Sequence, residues 1–577
     1  MRSSTVAFYL IDRLKELGVR HIFSVPGTYC ADFLFALAED KRESGTFIEN
    51  IGVCSEKEAA NAADGYFRCS KTSKLGVACV TYGVGPFNML DGIAGAFTER
   101  VPVLLLNGGP SKHETFEMEQ HGVLFAHATG RIKSDLRVVQ ELTIAQEILD
   151  SNENAGERID ALLKECLLHS RPVYLEVAHD VWKRACNPPK NKLIGYKSGN
   201  VELSGVTEAE TLNSILDEVE RRIRVAKLPV VLGGEEIHRL GMEAAFVEFI
   251  TASQFSWSTT MQGKSIIPED TAGFIGTYDS DFSPKEVRKV VDDTDCVIAI
   301  GTSFGDFYER FVNQKFQQTM VATMNGVRIG YDSYSKVSIR EFLPALVERF
   351  KSEPFTAPPL PEAYSKGVKA RFSEDGARGS EELNYDTFFD RMKNFIDEHM
   401  IAMCDTSLCL FPAADLVIQR PGGFVSQATW LSIGYTAGAS LGGAAALPKG
   451  HRVIVFTGDG GFQMNPQALS PMIRLGHPTV IFIINNSLYS VEQFLVDKSF
   501  FVNKEHQPTD FCKIDNWNYA SLVDVFKGDH KAYGRKVTTL FELDILIEEI
   551  KSTLDGPFLV DVVIPPKSLP YENRAAL

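Results

Sequence analysis

The stretch GDGGFQMNPQALSPMIRLGHPTVIFIINN, residues 458–486, sets a carboxylate, Asp459, between glycines directly after the apolar run VIVFT. It then sets two amides, Asn485 and Asn486, directly after the next apolar run, TVIFII. Short apolar runs closed by glycine or polar residues read as buried strands, and the helix-length segment between them reads as a crossover. Two strands joined in this way lie parallel in one sheet. Ligands of open parallel sheets collect beyond the carboxyl ends of the strands. Asp459 and Asn486, 27 positions apart, are therefore expected to converge on one edge.

The same alternation extends in both directions. From about 370 to the end, the runs MIAMCDT, HRVIVFTGDG, TVIFIINN and GPFLVDVVIPP alternate with helical patterns, and SIGYTAGASLGGAAAL reads as a helix packed closely on its neighbours. Before about 188, HIFSV, LGVACVTYG, VPVLLLNG and PVYLEVA alternate with segments such as TVAFYLIDRLKELG, and a polar connector, NPPKNKLIGYKSGN, follows. A middle block contains LPVVLGG and DCVIAIGTSFGDF and ends at the proline-rich SEPFTAPPLPEAYSKG. The pattern predicts three consecutive α/β domains with mainly parallel sheets, over 1–188, 200–352 and 370–577.

The bulk properties agree. A chain of 577 residues exceeds a single core, and 44% apolar with 23% charged residues is an ordinary globular composition. A net charge of -16 disfavours nucleic acid and anionic membrane as partners. The ten cysteines form no CxxC and no zinc-type spacing, which predicts reduced thiols in a cytoplasmic protein. The N-terminal segment lacks the apolar core and cleavage site of a signal peptide, and no run approaches the ~20 apolar residues of a membrane span.

One carboxylate and one amide oxygen make a poor zinc site but suit Mg²⁺, which takes substrate phosphate oxygens for its remaining positions. Gly458, Gly460 and Gly461 would let backbone N–H groups approach a diphosphate at a helix start. Alone, GDG is an ordinary turn. Paired with NN across a crossover, it resembles the cofactor-binding signature of the thiamine diphosphate enzymes. That resemblance implies that Asp459 and Asn486 ligate Mg²⁺ together with the backbone carbonyl of Leu488, where the family more often has glycine.

The first block contains CSEKEAANAADGYFR, which looks like the E-x-x-A-x-x-A-A-D-G-Y element of pyruvate and indolepyruvate decarboxylases. Alignment back from Ala62, Ala63, Asp64, Gly65 and Tyr66 places Glu56 on the catalytic glutamate, with Glu58 as the only competitor. Such a carboxylate, bonded to the pyrimidine ring nitrogen, would stabilise the imino tautomer that deprotonates the thiazolium ring. TWLSIGYTAGA resembles the element that bends the cofactor: Ile433 would lie beneath it, and the backbone at Leu431 and Ile433 would touch the aminopyrimidine. Thr406, in CDTSLCLF, matches a further cofactor-side residue. TMQGKSI, GTYDSDFSPKEVRKVVDDTDCVIAIGTSFGDF, VTYGVGPFNMLDGIAGAFTERVPVLLLNGGP and NWNYASLVDVF extend the resemblance over nearly the whole chain.

The substrate side departs from the pattern. Thr28, in VPGTYCADF, stands where the decarboxylases carry an aspartate. In LFAHATG, Ala126 replaces the first of two histidines and His127 keeps the second. NNSLYSVE keeps the glutamate as Glu492. His113 and His121, in PSKHETFEMEQHG, are candidates to compensate, and LGGEEIHR stands where some yeast-type enzymes carry a regulatory cysteine. Phe411, Phe494 and Tyr29 would line an apolar substrate pocket.

The implied reaction is decarboxylation of a 2-oxo acid through an enamine, released as aldehyde or passed to a carbonyl acceptor. A dedicated carboligase is the alternative. A non-catalytic scaffold of the same fold is disfavoured by the presence of Glu56, Asp459, Asn486 and Ile433. A nucleotide phosphotransferase would need GxxxxGK[ST], which the chain lacks. Glu56 and Asp459 fall in different domains but must reach one cofactor, so the resemblance implies a homodimer or homotetramer.

Overall fold

The computed structural model describes residues 4–193, 209–365, 382–574 and 577. In the first sheet the spatial order is Glu49–Gly52, His21–Ser24, Gly76–Thr81, Val103–Gly109, Val173–Ala178, Ala145–Leu149, with every neighbouring pair parallel. In the third it is Phe424–Ser426, Met400–Cys404, Arg452–Gly458, Val480–Asn485, Phe558–Val563, Tyr533–Val537, again wholly parallel. The two sheets share one winding, with the second strand outside the first and the sixth inside the fifth. The central sheet has seven strands, and its parallel core is closed at one edge by the antiparallel strands Gly326–Ile329 and Asp332–Tyr334. The expected parallel α/β architecture is present in all three.

In the first and third sheets, three strands that had no apolar run to mark them lie at the edges. Glu49–Gly52, Ala145–Leu149 and Tyr533–Val537 each bury one residue and leave the others partly or fully exposed. A strand covered on one face only has no need of a continuous apolar run. Residues 194–208 and 366–381 lie outside the described residues, and with them the end of the expected connector, the expected start of the central domain at 200 and that of the third at 370. The described part of the proline-rich linker lies along the central domain, where Ala357 N–H donates to Ser253 O at 2.9 Å and Phe355 packs on Phe255.

Two helices join the first and third domains. Glu56–Cys69 begins after Ser55, whose Oγ accepts from Glu58 N–H at 3.3 Å. Its alanine- and glycine-rich face lies on Tyr435–Ala446, the alanine- and glycine-rich segment of the third block. The backbones touch: a Cβ at Gly442 would fall 1.8 Å from Ala62 O, and one at Gly65 2.1 Å from Ala439 O. Buried charge fixes the same seam, with Arg68 Nε 2.7 Å from Asp64 Oδ1, Arg68 Nη1 bonded to Ser426 O at 2.7 Å, and the Tyr435 hydroxyl donating to Asp64.

Candidate cofactor and metal site

Arg452–Gly458 and Val480–Asn485 pair in parallel, and their carboxyl ends carry the two signature residues to one place. Asp459 is 2% exposed. Its Oδ1 accepts from Gly460 N–H at 2.9 Å, and its Oδ2 from the N–H groups of Asn486 at 3.2 Å and Ser487 at 2.6 Å. Asn486 spends its amide N–H on Ser490 Oγ at 2.6 Å. Leu488 is buried and bridges to Lys513 across an isolated pair. Burial pushes the Asp459 carboxyl up to about 6 despite its backbone donors. A buried carboxylate with no ion-pair partner among the described residues, near residues that carry an amide oxygen (Asn486) and a backbone carbonyl (Leu488), fits a hard cation such as Mg²⁺. Among the described residues no group of three or more His, Cys, Asp or Glu could hold a metal.

The glycines around Asp459 have a packing reason as well. A Cβ on Gly460 would meet Tyr489 at 2.3 Å, and one on Gly461 would meet Asp405 Oδ2 at 2.7 Å. At Gly458 the nearest atom would be Ser407 Cβ, at an ordinary 3.7 Å.

The adjacent strand Met400–Cys404 leads directly into Asp405, which the sequence motifs did not single out although it too is a carboxylate at a strand end. It is wholly buried, and Oδ2 accepts from Gly434 N–H and from Thr457 Oγ1, both at 2.9 Å. Burial pushes it up to about 6. Its Oδ1 and the hydroxyl of Thr406 are buried polar atoms without a hydrogen-bond partner among the described residues. A polar ligand between the Thr406 and Asp459 strand ends would satisfy them. Ile433 is half-buried beside them, and Leu431 holds φ 57°.

In the first domain Glu56 and Glu58 separate. Residues two apart on a helix point in nearly opposite directions. Glu56 is partly exposed and accepts from Asn88 Nδ2 at 2.6 Å. Glu58 is fully buried, accepts from Cys54 N–H at 3.1 Å and leaves Oε1 without a hydrogen-bond partner among the described residues. Burial pushes it up to about 7 against those N–H groups and Arg474. Among the described residues no hydrogen bond or ion pair joins either glutamate to Asp459, Asn486 or Thr406.

Thr28, Ala126 and His127 are all exposed, near one ring cluster. Tyr29 meets Tyr82 edge-on at 4.7 Å and His179 at 5.3 Å, and Tyr82 meets His127 at 6.0 Å. The Tyr82 hydroxyl donates to Ala126 O, and His179 Nε2 lies 2.9 Å from Glu114 Oε2. Tyr82, in VTYGVGPF, and Glu114, in PSKHETF, had no feature that set them apart from their neighbours, and His179 lay in no motif. His113 and His121 lie on the exposed helix Lys112–His121, both beside Glu117. Glu492 is exposed on the third domain, and among the described residues no hydrogen bond or ion pair joins it to Thr28 or His127. Phe411 and Phe494 are buried in the core of the third domain.

Family models match three segments: "Thiamine pyrophosphate enzyme, N-terminal TPP binding domain" over residues 4–133, "central domain" over 216–343 and "C-terminal TPP binding domain" over 408–562. The chain is 27% identical over 566 residues to a probable pyruvate decarboxylase of Schizosaccharomyces pombe, covering 97% of this chain and 92% of that one. It is 29% identical over 552 residues to pyruvate decarboxylase 2 of Arabidopsis thaliana, covering 94% and 85%. It is likewise 29% identical over 549 residues to pyruvate decarboxylase 1 of Pisum sativum, covering 93% and 86%.

Proposed function

Because the chain belongs to the thiamine diphosphate-dependent 2-oxo acid decarboxylase family, we propose that it removes CO₂ from a 2-oxo acid at a site shared by two copies. The observation that supports this most is the meeting of Asp459 and Asn486 at neighbouring parallel strand ends, beside the unpartnered Thr406 hydroxyl and Asp405 oxygen. Asp459, the Asn486 side-chain oxygen and the Leu488 carbonyl would hold Mg²⁺ and through it the diphosphate. When bound, thiamine diphosphate supplies a carbon nucleophile and the sink for the electron pair that CO₂ leaves behind.

This chain's own residues do the remaining work. Glu56 holds a proton at the pyrimidine ring nitrogen. Thr406, the Leu431 backbone and Ile433 would hold the cofactor. His127 and Glu492 move protons on the substrate side. Thr28 and His127 lie exposed and Glu56 partly exposed on the first domain, Glu492 lies exposed on the third, and each needs a facing surface to become a closed site. A second copy that sets its first domain against the third domain of the other provides it, which makes a homodimer the smallest complete unit. Among the described residues no helix is long and apolar enough to cross a membrane.

Thr28 and Ala126 set the outcome for the product. A hydroxyl and a methyl deliver no proton at neutral pH. Protonation of the carbon that has lost CO₂ is therefore slow, and a carbonyl acceptor competes for it in the space that Ala126 leaves. The test is mass spectrometry of products from a panel of 2-oxo acids, with and without aldehyde acceptors. Coupled product is expected to dominate when an acceptor is present, and the double variant Thr28→Asp, Ala126→His is expected to shift turnover toward free aldehyde. Rapid aldehyde release by the wild type, indifferent to acceptors and unimproved in the double variant, leaves plain decarboxylation in place of carboligation.

A further inference from the structure

Leu431 holds φ 57°. That is the left-handed region, which a bulky L-residue avoids because its Cβ crowds the following carbonyl. Strain of this kind persists only where the surroundings over-determine it. Here one carboxylate of the first domain brackets the strained residue from both sides. Trp430 Nε1 donates to Asp91 Oδ1 at 3.0 Å, and Ser432 Oγ donates to Asp91 Oδ2 at 2.7 Å. Lys57 Nζ lies 2.8 Å from the same Oδ2. These three partners hold the carboxyl below its usual range, outweighing the partial burial that would raise it.

The grip continues along one face of the helix Val84–Thr98. Glu99, just past its end, is buried and accepts from Thr429 N–H at 2.7 Å and Trp430 N–H at 3.0 Å. Gly95 leaves room between them: a Cβ there would lie 2.4 Å from Gln427 Nε2 and 3.1 Å from Trp430 Cδ1. Positions 91, 95 and 99 recur every four residues, so they share one stripe of the helix surface. The whole segment 427–432 is thus seated on another domain's helix.

We propose that Asp91 is a positioning residue, which holds Leu431 in the left-handed conformation that presents the loop backbone to the cofactor. The inference rests on the reading that the Leu431 and Ile433 backbone contacts thiamine diphosphate. A surface ion pair would contribute little by itself. Asp91 differs because its two neutral donors flank the one residue whose backbone needs holding.

The test uses the full-length protein and two readouts, one of them free of cofactor. Asp91→Asn keeps the size but turns an N–H group toward a donor. In cofactor-free protein the amides of residues 430–432 are expected to exchange with solvent roughly tenfold faster. Thiamine diphosphate with Mg²⁺, titrated by intrinsic fluorescence, is expected to bind roughly tenfold more weakly. Glycine adopts the left-handed region without penalty, so in a Leu431→Gly background the same Asp91→Asn substitution is expected to cost at most about threefold. Unchanged exchange and affinity in Asp91→Asn, or an equal loss in both backgrounds, overturns the proposal. If Asp91→Asn does not fold, Ser432→Ala removes one of the two bracketing bonds, and the same pattern is expected at about threefold size. No change there overturns the proposal as well. A wild-type protein that binds no thiamine diphosphate overturns the proposed function instead, and the exchange measurement then decides the role of Asp91 alone.

Discussion

Asp459→Ala will abolish magnesium-dependent retention of thiamine diphosphate. The carboxylate places a formal charge at the meeting point of the two signature strands, and it is buried there. Mg²⁺ needs that charge close by to offset the water it gives up, and the diphosphate needs Mg²⁺ to offset its own charge. Losing one charged ligand is expected to weaken cofactor binding by about a hundredfold or more, roughly 3 kcal/mol. The alanine variant also strands the N–H groups of Gly460, Asn486 and Ser487, which now end on the carboxylate. Asp459→Asn separates the two effects, because its amide oxygen still accepts from the backbone while the charge is gone. Both variants should fail to hold cofactor through a desalting column in magnesium buffer, and the asparagine variant should keep a near-normal melting temperature. Full retention by either removes the metal assignment.

Glu56→Gln will leave cofactor binding nearly intact and slow exchange of the thiazolium C2 proton about 10²–10⁴-fold, the usual range for a lost acid–base group. Glu58→Gln will act on stability instead. Glu58 is fully buried and is raised to about 7 from an ordinary 4.5, chiefly by burial. Between those values the folded protein binds the proton more tightly than the unfolded chain does. The stability that Glu58 contributes is therefore present below about pH 4.5 and is lost as pH rises through about 7. Glutamine mimics the neutral carboxyl, so Glu58→Gln should melt above the wild type at pH 8 and level with it at pH 4.5. The underlying difference is on the order of 3 kcal/mol. If C2 exchange is unchanged in Glu56→Gln and slowed in Glu58→Gln, the catalytic carboxylate is the buried one.

The sequence could show what burial on two faces writes into it. The strands that carry Asp459 and Asn486 bury nearly every residue and so stand out as apolar runs. Their parallel pairing follows from the crossover length. The edge strands Glu49–Gly52, Ala145–Leu149 and Tyr533–Val537 did not stand out, because their mixed faces match loops. The helix seam was half legible: the small residues of Tyr435–Ala446 announced close packing, but nothing said that the partner would be the helix after Glu56. Alignment could separate Glu56 from Glu58 only by register. Their different environments come from a neighbouring domain lying over one side of the helix and not the other. Asp91 was illegible for the same reason, and the position of Asp405 at a strand end did not by itself show what it holds. Each matters because of a loop more than twenty residues away in sequence, Asp91 through Trp430 and Ser432, Asp405 through Gly434.

The central claim is that this chain uses thiamine diphosphate and Mg²⁺ to release CO₂ from a 2-oxo acid, and CO₂ itself is the most direct readout. Protein stripped of cofactor and metal, then resupplied with each alone and with both, should be offered a panel of 2-oxo acids with CO₂ followed continuously. The expected result is release from at least one 2-oxo acid only when both are present, with none from Asp459→Ala under the same conditions. Tight cofactor binding without CO₂ from any member of the panel, or release that needs neither cofactor nor metal, would contradict it.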